Sequence, residues 1–208
     1  IASGWHPLFT YYFKPGDGYL GGDFFFPADG KPECVEFLDN IDSPTHRVVI
    51  RHLVVSAQII LAGGKTSNCL FHRSVRQASH QRYADEIKKE LHWCKDNFTD
   101  EFSTVAESVY KSMSPLKSER ASFEAIMSLI KEWLDTGSID VIQMNGKSDV
   151  DSSQYESGCN FVIGGNTLGR GVTFPCLETI YYTRSSKNLK RIQCGNTVEC
   201  LDMTETLD

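Results

Sequence analysis

Residues 159–182 read CNFVIGGNTLGRGVTFPCLETIYY. Two apolar runs, Phe161–Ile163 and Thr179–Thr183, enclose a segment with Gly164, Gly165, Gly169 and Gly171 around a single cation, Arg170. A run as short and wholly apolar as Phe161-Val162-Ile163 suits a strand buried on both faces, as in a parallel sheet. Ligands of open α/β sheets bind beyond the carboxyl ends of strands, which is where the glycine segment falls. Glycines let backbone N–H groups approach an anion with no Cβ in the way, and a guanidinium offers phosphate oxygens a planar fork of donors. The segment therefore suits the phosphate of a nucleotide or of a nucleic-acid backbone. A plain tight turn with no ligand is an equally open reading. The segment is not a phosphate-binding GxxxxGK[ST] loop, for it has no lysine, and the GxGxxG spacing of dinucleotide sites is not met.

Working outward, Ser43-Pro44 predicts a helix start, with a serine N-cap and proline at the first helical position, and Gly63-Gly64 predicts its stop. Val48, Val49, Leu53, Ala57, Ile60 and Leu61 keep a helical spacing, although the β-branched content leaves a strand open. Asn68–Phe71 predicts a strand. Tyr83, Ile87, Leu91 and Cys94 form an apolar stripe opposite Arg82, Glu86, Lys89 and Glu90, which predicts an amphipathic helix. Residues 101–112 read as helical. Ser118 is expected to cap a further helix with Phe123, Ile126, Met127, Ile130, Trp133 and Leu134 inward and Gly137 at its end. Ile139–Ile142 reads as a strand, Asn145-Gly146 as a turn, and residues 147–158 as a loop. Strands separated by helices imply crossovers, so the expected class is α/β: a three-layer, mainly parallel sheet with helices on both faces. Residues 1–43, with turn signals at Pro15-Gly16, Asp17-Gly18 and Gly21-Gly22 among many aromatics, read as an irregular arm packed on the domain.

The bulk numbers fit this class. With 208 residues, 40% of them hydrophobic, the chain can bury a core as one domain, with or without an appendage. Its first residue is Ile1 rather than Met, as in a fragment of a longer protein. The net charge of -6 disfavours indiscriminate nucleic-acid binding but leaves room for a local basic groove. No apolar run of 18 or more residues occurs, so no membrane span is expected, and no signal peptide is visible. The seven cysteines lie scattered with no CxxC, which argues for a reducing cytoplasm rather than a disulfide framework. The six histidines do not cluster. His46 and His52, six apart on a helix, fall on different faces, and no metal site is expected.

The stretch CNFVIGGNTLGRGVTFPCLETIYYTR resembles the signature of the Z1 domain family, often labelled as endonucleases, which accompanies superfamily-two helicase-like ATPases in bacterial restriction and phage-defence proteins. GDGYLGGDFFF at 16–26, RVVIRHLVVSAQIILAGG at 47–64, NCLFHRSVRQASHQRYADEIKKEL at 68–91 and IDVIQMNGKSD at 139–149 resemble further family segments in the same order. The likeness covers residues 8 to 188. It implies a second RecA-like lobe at 44–188, preceded by the arm at 1–43 and followed by an unmatched tail at 189–208. By the same resemblance, the backbone at Gly165 and Asn166 contacts a DNA phosphate, and Arg170, Gly171 and Thr173 lie where the nucleotide meets the lobe. Thr173 stands where many helicases carry aspartate. His72, Arg73, Ser74, Arg76 and Gln77 would line the same edge and contact DNA phosphates, which position a strand without reading its bases. A solvated basic loop is the other reading of Arg73 and Arg76.

The resemblance also implies ATP and Mg²⁺ as cofactors of the whole protein, held mainly by a first RecA-like lobe that this chain lacks. Nuclease and methyltransferase partners are expected from the restriction setting. Residues 189–208 do not match the family's arginine-finger helix. Phosphoryl transfer needs a lysine and Mg²⁺ cradle together with an arginine finger, so the chain alone is expected to be inactive. Two other readings stand beside this one. The first is a Mg²⁺-dependent DNA endonuclease, for which the nearest carboxylates are Glu86 of Glu86-Ile87-Lys88 and Asp140. The second is a non-catalytic module that binds a partner or a nucleotide.

Overall fold

The computed structural model describes residues 28–29, 35–38, 42–72, 77–113, 120–144, 152–164, 175–182 and 197–199. The chain divides into two compact units, residues 1–33 and residues 34–208. The first contributes only the turn at residues 28–29 to the described structure; the second holds every element below.

The elements run β1 (Val35–Phe37), α1 (Pro44–Leu61), β2 (Thr66–His72), α2 (Gln77–Asp96), a π-helical turn (Phe98–Phe102), α3 (Ser103–Ser112) and α4 (Phe123–Thr136). They continue with β3 (Ile139–Met144), a 3-10 turn (Ser152–Tyr155), β4 (Gly158–Gly164), β5 (Leu177–Tyr182) and β6 (Thr197–Glu199). One six-stranded sheet has the order β1-β6-β5-β2-β4-β3. The four strands β5-β2-β4-β3 are all parallel, and β6 and β1 add antiparallel pairs beyond β5. The fold class read from the sequence holds: an α/β, mainly parallel sheet flanked by helices, consistent with a RecA-like three-layer fold. Strands β1 and β6 fall in segments where the sequence pattern predicted none.

Side-chain alternation divides the core in two. Cys69, Phe71, Cys159, Phe161, Ile163 and Tyr181 face one way and join buried residues of all four α-helices in the main cluster. Leu70, Ile142 and Val162 face the other way and pack with Tyr155 of the 3-10 turn. The β2-to-β3 connection thus carries α2, α3 and α4 over one face, and the β3-to-β4 connection crosses the opposite face.

Helix α1 lies at the centre of the main layer. Val48, Val49, Ile50, Leu53, Val54, Ala57 and Ile59 are all buried, between the sheet and the outer helices. This resolves the helix-or-strand ambiguity of its β-branched sequence. Burial around nearly the whole circumference outweighs a propensity penalty of a few tenths of a kcal/mol per residue. Pro44 sits in the first turn as expected, but the Ser43 side chain makes no capping bond. At the other end a Cβ on Gly64 would lie 2.6 Å from Ile59 Cγ2 and 2.9 Å from the Ile59 carbonyl oxygen, so only glycine fits the close return.

Helix α4 corrects one expectation. Its N-cap is Ser122, whose hydroxyl accepts from the Ala125 N–H at 3.2 Å, not Ser118, which lies outside the described residues. The sequence offers both serines before an apolar run. Tertiary contact decides between them: the Ala121 N–H donates to Gln58 Oε1 of α1 at 2.9 Å, next to Ser122, whose backbone is extended at φ -66° and ψ 152°. Gly137 ends the helix in the left-handed region at φ 71°, as expected. Ser122→Ala is expected to lower stability by about 1 kcal/mol in urea unfolding, and Ser43→Ala to change it by no more than a few tenths.

Candidate functional site

The carboxyl ends of the parallel strands form a row. Gly164 of β4 pairs with Met144 of β3 on one side and with His72 of β2 on the other, and His72 pairs in turn with Tyr182 of β5. From β2 the chain continues to α2 on the helical face. From β4 it continues toward β5, in the same direction across the sheet as the β3-to-β4 crossing that puts Tyr155 on the opposite face. Adjacent strands whose continuations diverge in this way define a topological switch point, and the crevice beyond it is where open α/β sheets hold ligands.

Of the residues singled out in the sequence, His72 is the last residue of β2 and half-buried, and Gln77 is the first residue of α2. Arg73, Ser74 and Arg76 lie between them, and Gly165, Asn166, Arg170, Gly171 and Thr173 lie between Gly164 and Pro175; all eight are outside the described residues. The structure therefore brings together the starting points of both segments, at the His72–Gly164 pair. Helix α2 opens toward this edge with no acidic residue in its first turn, so the positive end of its dipole is not neutralised there by a side chain of that turn.

Two polar networks within the fold escaped the sequence reading. The first docks α1 on the sheet. His52 is fully buried; its Nε2 lies 3.1 Å from the Asn160 carbonyl, and its Nδ1 lies 3.4 Å from Thr179 Oγ1. The Ser56 hydroxyl, 3.2 Å from the same ring, donates to Ser67 Oγ at 2.9 Å. The ring also meets Phe161 edge-on at 4.8 Å. Burial pushes the His52 pKa down to about 3, and bonds to the Asn160 and Ser67 backbones oppose this only in part. The ring is therefore neutral, and this Ser–His pair has no solvent path to a substrate. The second network joins Thr66, Asn68 and Asn160 on the opposite face of the sheet. A signal for both was present: polar residues interrupt an apolar helix stripe at 52 and 56 and apolar strands at 67, 68 and 160.

The carboxylates considered for a nuclease do not converge. Glu86 accepts from Arg82 Nε at 2.9 Å on the exposed face of α2, and Asp140 is exposed near the start of β3. An open cleft of about 660 Å³ does collect Asp140, Asp135, Lys88, His92 and Lys95 over Trp133. It lies at the amino end of β3, away from the carboxyl edge. Asp135 is engaged there by Lys131 at 2.7 Å, and that bond holds its carboxyl below the usual range. Among the described residues, no three His, Cys, Asp or Glu side chains are placed to hold a metal ion. No helix among them is long and apolar enough to cross a membrane.

A parallel α/β core with its switch point at the β2–β4 edge defines the class of this chain. The Z1 domain family model matches residues 48–193, more than half of the chain, and the chain belongs to that family. No curated protein and no solved structure matches it.

The neutral His52 makes stability depend on pH. Unfolded, the ring titrates near 6.5; folded, it stays neutral until about pH 3. Between these values the unfolded state binds a proton that the folded state refuses, so stability is full above pH 6.5 and falls as the pH drops. This group alone is expected to remove about 2 kcal/mol between pH 7 and pH 5. Denaturant unfolding across that range measures the loss, and His52→Leu should flatten the slope by that amount.

Proposed function

We propose that this chain is the DNA-binding and ATPase-coupling lobe of a helicase-like protein of bacterial DNA restriction or phage defence, and that it catalyses no reaction alone. The observation that carries this reading is the His72–Gly164 pair. Because β2 and β4 are neighbours, the basic segment after β2 and the glycine–arginine segment after β4 start from paired backbone positions. A phosphate arriving at that edge also meets the amino end of α2, where the helix dipole favours an anion.

In this reading, His72, Arg73, Ser74, Arg76, Gln77, Gly165 and Asn166 hold DNA phosphates. Arg170, Gly171 and Thr173 face the nucleotide. ATP and Mg²⁺ would be held mainly by a first RecA-like lobe elsewhere in a longer polypeptide and would supply the phosphoryl-transfer chemistry there. The residues of this chain bind, orient and couple. A nuclease and a methyltransferase are the partners that fit a restriction system. The net charge of -6 confines attraction for DNA to this edge, so binding should be weak and salt-sensitive.

The test is a salt titration of oligonucleotide binding by the full chain. Arg170→Ala is expected to weaken binding across sequences and to reduce the slope of log affinity against log salt by about 1. Glu86→Ala, on the exposed face of α2, should leave both unchanged. ATP turnover by the chain is expected to be undetectable, and supercoiled plasmid with Mg²⁺ should stay intact. Nicking of the plasmid would favour the endonuclease reading. Binding indifferent to Arg170→Ala at every salt concentration would defeat the proposal and leave a partner-binding module.

A further inference from the structure

The connection that follows β4 re-enters the sheet at an irregular point, and one side chain holds it there. Cys176 has φ 47°, the only non-glycine residue in the left-handed region among the described residues. Directly after it, the β2–β5 ladder slips: Asn68 pairs with Leu177, but Cys69 pairs with Thr179, which leaves Glu178 as an extra residue. A left-handed non-glycine residue is strained and persists only where its surroundings over-determine it. A bulge likewise ends a regular ladder and re-aims the strand.

Both irregularities converge on Asn68, which is fully buried near the start of β2. Its backbone N–H donates to the Cys176 carbonyl at 2.8 Å, and its Nδ2 donates to the Pro175 carbonyl at 2.6 Å. The same Nδ2 donates to the Tyr155 carbonyl at 3.0 Å, at the end of the 3-10 turn in the preceding connection. Its Oδ1 accepts from Asn160 Nδ2 at 3.0 Å, which fixes the orientation of the carboxamide. Asn160 Nδ2 also reaches the Ser157 carbonyl at 3.0 Å, and the Thr66 hydroxyl donates to the Tyr155 carbonyl at 3.0 Å.

We propose that Asn68 is the positioning residue of the glycine–arginine connection: its carboxamide ties the ends of both connections on this face to β2 and thereby sets where β5 enters the sheet. Only a short side chain with two donors on one nitrogen and an acceptor beside it satisfies all three partners. Aspartate would face two carbonyl oxygens with a third oxygen, and leucine would offer no donor. The entry point matters because the connection is pinned at Gly164 and at Pro175. A slip of the β5 register would move Pro175 along β2 and so change the span that the chain between the two pins has to bridge. The functional consequence rests on the reading of that edge as a DNA site; the positioning itself does not.

Asn68→Asp and Cys176→Gly, singly and combined in the full chain, test the proposal by amide hydrogen exchange. In Asn68→Asp, amides of residues 176–180 should exchange about tenfold faster or more, as expected when buried carbonyls lose their donor, while those of α3 and α4 keep their protection. Glycine accepts a positive φ without strain, so Cys176→Gly should slow exchange at 176–180 clearly more in the Asn68→Asp background than beside Asn68, where the carboxamide already holds the strained entry. Equal effects in the two backgrounds, or unchanged exchange at 176–180 in Asn68→Asp, would overturn the proposal. If Asn68→Asp does not fold, Asn68→Ser, which keeps one donor on a shorter arm, takes its place with the same expected pattern. Oligonucleotide affinity is read alongside. A loss in Asn68→Asp that Cys176→Gly restores supports both claims. If neither Asn68→Asp nor Arg170→Ala changes affinity, the DNA reading fails, and the exchange data alone judge the positioning.

Discussion

Strand β2 is the element around which both layers of the core are organised. It is hydrogen-bonded in parallel on both edges, to β4 over its whole length and to β5 over most of it. A strand in that position must bury both faces, and every residue from Thr66 to Phe71 is buried. Its alternate residues therefore serve two layers at once. Cys69 and Phe71 build the helical core, and Leu70 builds the smaller core under Tyr155. Phe71 meets Phe161 and Tyr181 edge-on at 6.1 and 5.1 Å, so the three central strands are locked by aromatic contacts as well as by their ladders.

The polar residues of this strand extend the same logic. Ser67 faces α1 and Asn68 faces the connections, and each completes a hydrogen-bonded network at the centre of its layer. A buried polar group without partners costs about 1–3 kcal/mol, so these residues are tolerable only in one register and one helix placement. The His52–Ser56–Ser67 seam thus specifies how α1 lies on the sheet, and the Asn68–Asn160–Thr66 cluster specifies how the chain returns to it. Uniform apolar packing would stabilise as much but would discriminate less between neighbouring registers.

The function proposed for the carboxyl edge follows from this arrangement rather than from any single residue. Two segments far apart in sequence, for which phosphate binding is proposed, begin at neighbouring backbone positions because β2 and β4 pair. The mixed-charge cleft beside Trp133 lies at the amino end of β3 and has its Asp135 already tied to Lys131. Chemistry and topology favour the edge over the cleft.

The class of fold and most of its elements are legible in local patterns of residues. Short apolar runs at 68–71, 139–142 and 161–163 and the stripe Tyr83–Ile87–Leu91–Cys94 carry their own periodicity, and Pro44, Gly64 and Gly137 punctuate them through local sterics. Those signals act over a few residues, so a linear reading reaches them. It also reached the glycine–arginine segment and the family, because these are contiguous patterns. The remainder depends on long-range packing. Helix α1 was ambiguous until burial on all sides outweighed its β-branched content. The N-cap of α4 fell to Ser122 rather than Ser118 once Gln58, 63 residues away, took the Ala121 N–H. The strand order, the pairing of His72 with Gly164 and the convergence of His52 with Thr179 and of Asn68 with Pro175 join residues roughly 90 to 130 positions apart. Such contacts are set by which apolar faces can be buried together, a property of the whole chain that no local pattern encodes.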